Sequence, residues 1–154
     1  MSGDTETVGQ NDLLPALAEF RHRLRQFLHF SEKAAEKLGL QPQQHQLLLQ
    51  IAGAPTGTAV TVGYVAERLG LRHNSTVELC DRCEEAGLLA RRHDDADRRC
   101  VLLVVSPKGR EMLESLSIDH ARELNELGPQ LIRALGRLKP AYGNSRRPAA
   151  LEGR

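Results

Sequence analysis

The sequence predicts a mainly α-helical protein carrying one small β ribbon. Three observations lead there. Apolar residues from Leu13 to Leu38 recur at alternating three- and four-residue spacings, the mark of a helix face. Aromatic residues make up only 3% of the chain, so a core of Leu, Ala and Val must be spread over helix surfaces. Leu88–Arg92 and Cys100–Val105 read as two strands joined by a turn rich in Asp and Arg. At 154 residues the chain suits one domain with a real core rather than two.

Residues 1–12 have no periodicity and are expected to be a disordered tail. The first helix then carries Leu13, Leu17, Phe20, Leu24, Phe27, Ala34 and Leu38 in one stripe that only Ser31 interrupts. Such a helix, about 25 residues and about 40 Å long, exceeds what a small domain needs for its own core. Part of the stripe is therefore expected to pack on a second subunit.

Gly39 closes this helix, and Gln41-Pro42 opens the next, with Leu47, Leu48 and Ile51 as its apolar face. After the loop Gly53–Gly57, Thr58–Val62 reads as a short strand. Two short helices follow, Tyr64–Leu69 closed by Gly70 and Ser75–Ala86 closed by Gly87. Beyond the strand pair, Ser106-Pro107 supplies an N-cap and a first-turn proline for a last helical region running to Leu138. Gly128-Pro129 is expected to kink or divide it. Residues 139–154 turn to Pro, Gly, Ala and Arg and are expected to be a disordered basic tail, with Leu151–Arg154 in part a cloning remnant.

A helix pair joined by a tight turn and followed directly by a two-stranded ribbon is the winged helix-turn-helix arrangement. The predicted domain thus spans 13–138. On its second helix Thr76, Leu79, Cys80 and Cys83 share one face and should be buried, leaving Val77, Glu78, Asp81 and Arg82 outward. Arg72, His73, Asn74, Ser75 and Thr76 are polar groups at the start of that helix, able to reach phosphates or base edges, and Val77 suits a thymine methyl group. Asn74 or Ser75 is also expected to cap the helix. Arg82 is placed for a guanine or a phosphate, and Glu78 for an ion pair with Arg82 one turn away. In the turn between the strands, Arg98 and Arg99 can place a guanidinium in a narrow minor groove. Asp97 is positioned to hold Arg99 or to cap the turn.

The run Ser75-Thr76-Val77-Glu78-Leu79-Cys80-Asp81-Arg82-Cys83-Glu84-Glu85-Ala86-Gly87-Leu88-Leu89 resembles the recognition helix of the MarR (multiple antibiotic resistance regulator) family. Asp97-Arg98-Arg99, an apolar strand and Ser106-Pro107-Lys108-Gly109-Arg110 resemble that family's wing and the start of its next helix. Val105-Ser106 stands where the family usually has Leu-Thr, and Ser keeps the capping hydroxyl. The resemblance covers about residues 13–138. It implies a homodimer joined through its first and last helices and bound to double-stranded DNA at a pseudo-palindromic operator. It also implies a repressor released by a small-molecule, often phenolic, effector. Ser75–Ala86 would be the reading helix and Arg99, or else Arg98, the minor-groove arginine. His22, His29 and His45 lie near where the family's ligand pocket forms and are the candidate effector contacts.

The composition excludes other classes. Net charge is only +1, so global charge lends no support to nucleic-acid binding and the case rests on local arrangement. No stretch has the apolar length of a membrane span, and the polar N-terminus with Asp4, Glu6 and Asp12 resembles neither a signal nor a transit peptide, so a cytoplasmic protein is expected. Cys80 and Cys83 form a Cys-x-x-Cys with Cys100 nearby in sequence, but no second pair completes a zinc site; they are read as core residues. No cofactor, metal or enzymatic constellation is expected. Two alternatives stay open: a winged-helix protein-interaction module without DNA binding, and a thiol-based redox-sensing regulator.

Overall fold

The computed structural model describes residues 13–142, with side chains described through residue 138. The tails expected at 1–12 and beyond residue 142 lie outside the described residues. The elements are α1 (Leu13–Lys37), α2 (Pro42–Ala52), α3 (Val62–Leu69), α4 (His73–Glu85), β1 (Leu89–His93), β2 (Val101–Val105) and α5 (Pro107–Tyr142). They form two compact units. One holds residues 13–29 and 122–142 of the described chain; the other is Phe30–Ala121. Helices α1 and α5 contribute to both.

In the second unit local chemistry sets each boundary. Gly39, at φ 80°, takes the left-handed conformation that ends α1, and the Leu40 N–H returns to the Ala35 carbonyl at 3.0 Å. Gln41 is extended before Pro42, and its N–H donates to the Gln44 side chain at 3.0 Å, opening α2. The buried core joins Ala35, Leu47, Leu48, Val65, Leu79, Leu103, Leu113 and Leu116 with Cys80 and Cys83. Strands β1 and β2 pair antiparallel, with Leu89 opposite Val105 and His93 opposite Val101.

Four sequence expectations change in these elements. Thr58–Val62 is not a strand: one ladder-like bond, Leu103 N–H to the Val60 carbonyl at 2.8 Å, ties it to β2. The Thr61 hydroxyl caps α3 and turns the chain into that helix, which starts at Val62 rather than Tyr64. Helix α5 passes through Gly128-Pro129 unbroken, because a proline deletes a single N–H donor and the neighbouring turns keep theirs. It also runs on to Tyr142, past the end expected at Leu138.

The first unit buries few residues and leaves many large apolar ones exposed. Ala16, Leu127 and Ala134 are buried, whereas Leu14 and Ile132 are 74% and 70% exposed, and Leu17, Leu24, Leu28, Leu124 and Leu135 are also exposed. A cleft of about 280 Å³ is lined by Pro15, Glu19, Arg23, Gln130, Arg133, Ala134 and Arg137. No helix among the described residues is long and apolar enough to cross a membrane.

Candidate nucleic-acid interface

The site is built within the second unit, on α3, α4 and the ribbon. Thr61 Oγ1 accepts from the Tyr64 N–H at 3.2 Å and fixes the start of α3. Gly70, at φ 65°, ends it in the left-handed conformation, and the Leu71 N–H bonds back to Ala66 at 3.0 Å. Arg72 is then extended at the N-cap position, and α4 begins at once with His73. Neither Asn74 nor Ser75 is the cap; both lie inside the first turn. The Arg72 side chain makes no capping bond. The amides of His73, Asn74 and Ser75 therefore have no acceptor among the described residues, and an open helix N-terminus favours an anion.

Burial sorts the residues of α4. Arg72, His73, Asn74, Ser75, Glu78 and Arg82 are exposed and Val77 is half-buried. Thr76 is the correction. Its side chain is fully buried, and its hydroxyl donates to the Arg72 carbonyl at 3.0 Å, so it shapes the first turn and cannot face a duplex. The expected Glu78–Arg82 pair is also absent: among the described residues no ion pair joins them. Two other carboxylates of α4, Asp81 and Glu84, instead engage Arg91 of β1.

The turn between the strands is closely bonded. Asp94 N–H donates to the Cys100 carbonyl and Cys100 N–H to the Asp97 carbonyl, both at 2.9 Å. Asp94 Oδ1 accepts from Ala96 N–H at 3.0 Å, and His93 Nδ1 donates to the Arg98 carbonyl at 2.8 Å. Asp97 Oδ1 accepts from both the Arg99 amide at 3.1 Å and Arg99 Nε at 3.3 Å. Asp97 thus holds the base of a guanidinium whose side chain is 93% exposed. An aimed, solvated arginine suits a groove that attracts cations.

A junction that the sequence reading missed joins α4, β2 and α5. Ser106 Oγ donates to the Gly87 carbonyl at 2.6 Å and accepts the Gly109 N–H at 3.0 Å. Lys108 Nζ reaches the Ala86 carbonyl at 3.0 Å, placing a cation at the C-terminus of α4. Gly109 approaches Leu88 so closely that a Cβ would sit 2.3 Å from its carbonyl oxygen. The Ser-Pro-Lys-Gly order signals a helix start, but no local pattern signals its grip on α4.

Two of the three cysteines belong to the core. Cys80 and Cys83 are fully buried; desolvation raises both thiols, and Cys83, with Cys80 beside it, is pushed up to about 12. Among the described residues no group of three His, Cys, Asp or Glu is placed to hold a metal ion. His22 and His29 are exposed in the first unit and do not line its cleft, whereas His45 is buried in the second. His45 stacks obliquely on His120, ring centroids 5.1 Å apart, and His120 bonds to Ser31. His120 had a signal in the sequence, since it continues the row Leu113, Leu116 at helical spacing.

A helix-turn-helix leading directly into an arginine-tipped ribbon defines a winged-helix DNA-binding protein. Residues 38–99 match the model of the MarR family. The chain is 32% identical over 112 residues to the HTH-type transcriptional regulator YcgE of Bacillus subtilis (strain 168), covering 67% of this chain and 70% of that protein. The chain belongs to the MarR family of transcriptional regulators. Its fold is similar to that of a MarR family protein from Bacillus stearothermophilus, with a TM-score of 0.69 and 19% identity over 90% of this chain and all of the other. It is similar too to a variant of S. aureus MepR bound to an oligodeoxyribonucleotide (TM-score 0.60, 17% identity, 82% of this chain and 95% of that one). CouR from Rhodococcus jostii RHA1 bound to p-coumaroyl-CoA gives a TM-score of 0.61 at 20% identity, over 80% of this chain and 87% of the other.

Proposed function

We propose that this regulator is a homodimeric repressor that places the first turn of α4 in the major groove and Arg99 in the adjacent minor groove. The observation that carries this reading is the open first turn of α4, with exposed Arg72, His73, Asn74 and Ser75 around amides that have no acceptor. Arg82 is the contact further along the helix, with Val77 and Glu78 facing bases and Arg98 an auxiliary at the wing tip. Asp97 acts by aiming Arg99 rather than by touching DNA.

Dimer formation is supported by the apolar residues that the first unit leaves exposed, Leu14 and Ile132 foremost, which a second copy would cover. A dimer presents two reading helices and requires a pseudo-palindromic operator. For the effector, the reading keeps His22, His29 and His45 as candidate contacts. CouR's p-coumaroyl-CoA complex supports a small-molecule, aromatic ligand as the releasing signal.

Operator binding by Arg99→Ala at physiological salt tests the wing assignment: a several-fold loss with the dimer intact by sedimentation supports it, and unchanged affinity overturns it. Wild-type affinity should fall steeply with salt as phosphate contacts release counterions. A genomic-fragment selection that enriches no sequence would replace this reading with a protein-interaction role.

A further inference from the structure

The base of the wing holds an ion-pair cluster with no part in the contacts proposed so far. Arg91, on β1, reaches back to α4: Nη2 donates to Asp81 Oδ1 at 2.7 Å and Nη1 donates to Glu84 Oε2. Asp81 and Glu84 are three residues apart, so they share one face of α4. A planar guanidinium presents two donor edges and can serve two carboxylates at once, which a single ammonium does less well. The Arg91 side chain is 25% exposed, against 93% for Arg99, so it is partly shielded from salt and water.

Arg91 also stands at a mechanical junction. It pairs with Leu103 across the ladder and precedes by two residues His93, whose ring holds the Arg98 carbonyl. A chain of bonds therefore runs from α4 through Arg91 into β1 and on to the arginines of the turn. Its electrostatics matter as well. Helix α4 carries Glu78, Asp81, Glu84 and Glu85 against a single arginine, an unfavourable balance for an element facing phosphates. Arg91 occupies two of those carboxylates.

We infer that Arg91 is a positioning residue for DNA binding: its grip on Asp81 and Glu84 fixes the wing against the reading helix so that both engage one duplex. It touches α4, not DNA. The inference rests on the wing reading above and adds the residue that aims it.

The test is a double-mutant cycle on the full-length protein, joined to hydrogen exchange in the absence of DNA. Arg91→Ala should weaken operator binding about ten-fold or more. Arg99→Ala should then cost little in that background, because a wing set loose no longer delivers Arg99. The isosteric pair Asp81→Asn with Glu84→Gln removes the same grip and should shrink the cost of Arg99→Ala likewise, which keeps the test available if Arg91→Ala folds poorly. In both backgrounds the amides of residues 94–100 should exchange at least several-fold faster than in wild type, while those of α2 stay unchanged. Additive losses from Arg91→Ala and Arg99→Ala would overturn the inference, since they would make Arg91 an independent contact. Unchanged wing exchange would overturn it regardless of DNA. Should Arg99→Ala alone have no effect while Arg91→Ala loosens the wing, the grip stands and the minor-groove reading fails.

Discussion

Nε2 of His120 lies 2.7 Å from the hydroxyl of Ser31, joining the polar interruption of one apolar helix row to that of another. His120 Nδ1 faces the Leu116 carbonyl at 2.6 Å, and a carbonyl only accepts, so Nδ1 carries the proton. In the neutral ring Nε2 then accepts from Ser31, whose residue is 4% exposed. Replacing His120 with Leu leaves that buried hydroxyl unanswered and should cost about 1–3 kcal/mol. Adding Ser31→Ala should recover part of the loss. Urea denaturation of the two single variants and the double, at one protein concentration, reads the coupling; simple additivity would count against the pairing.

Acid should destabilise the protein through His45. Burial, and then the nearby His120, lowers its pKa from the ordinary 6.5. Below pH 6.5 the unfolded chain binds a proton that the folded ring resists, so stability falls with pH down through the folded pKa and is at its full value above 6.5. Denaturation midpoints between pH 8 and pH 5 should show this decline, and His45→Leu should flatten it. An equal slope in that variant would assign the acid sensitivity elsewhere.

Gly109→Ala should loosen the junction of α4, β2 and α5. The added Cβ would lie 2.3 Å from the Leu88 carbonyl oxygen and 2.9 Å from Val105 Cγ1, and neither is free to retreat. Overpacking of this kind costs about 1–3 kcal/mol, a fall in melting temperature of roughly 2–4 °C per kcal/mol for a chain of this size. Thermal melts by circular dichroism check it, with Gly136→Ala as the comparison, since a Cβ there meets nothing within 4 Å.

A thiol reagent at pH 8 should label native protein at Cys100 well before Cys80 and Cys83. Cys100 is half-buried, whereas the other two are enclosed and their thiols are raised by desolvation. Mass spectrometry of the labelled peptides orders the sites. The same burial should make DNA binding by wild type and a variant with Cys80→Ser and Cys83→Ser respond alike to peroxide. A peroxide response confined to wild type would restore the redox-sensing reading.

Helical periodicity carried most of the fold. The 25 residues of α1 and the buried set Thr76, Leu79, Cys80 and Cys83 follow from spacing alone, because one face of a helix must meet the core. Turn chemistry placed Gly39, Gly70 and Gly87, each with positive φ. The failures were tertiary. Val60 meets β2 through one bond, too few for a strand, and no local signal distinguishes one bond from a ladder. Arg72 took the cap position because the left-handed Gly70 aims the chain into α4 earlier than the Asn74-Ser75 pair suggests. In the candidate site the exposed polar residues were legible. Thr76 cannot both line the core and face a duplex, and the packing takes it inward. Arg91, Ser106 and Lys108 act across 7 to 22 residues of sequence, distances at which pattern is silent.

The bare start of α4 sets stability against function at one spot. A serine at position 72 would close that turn and make the free protein more robust by about 0.5–2 kcal/mol. Its hydroxyl would then occupy an amide that the bound phosphate is proposed to take, and the Arg72 charge would be gone. Selection for a hardier fold and selection for a tighter grip on DNA pull this residue in opposite directions. On the proposed reading, the unbound protein keeps this end solvated and unfinished, and the duplex would complete it.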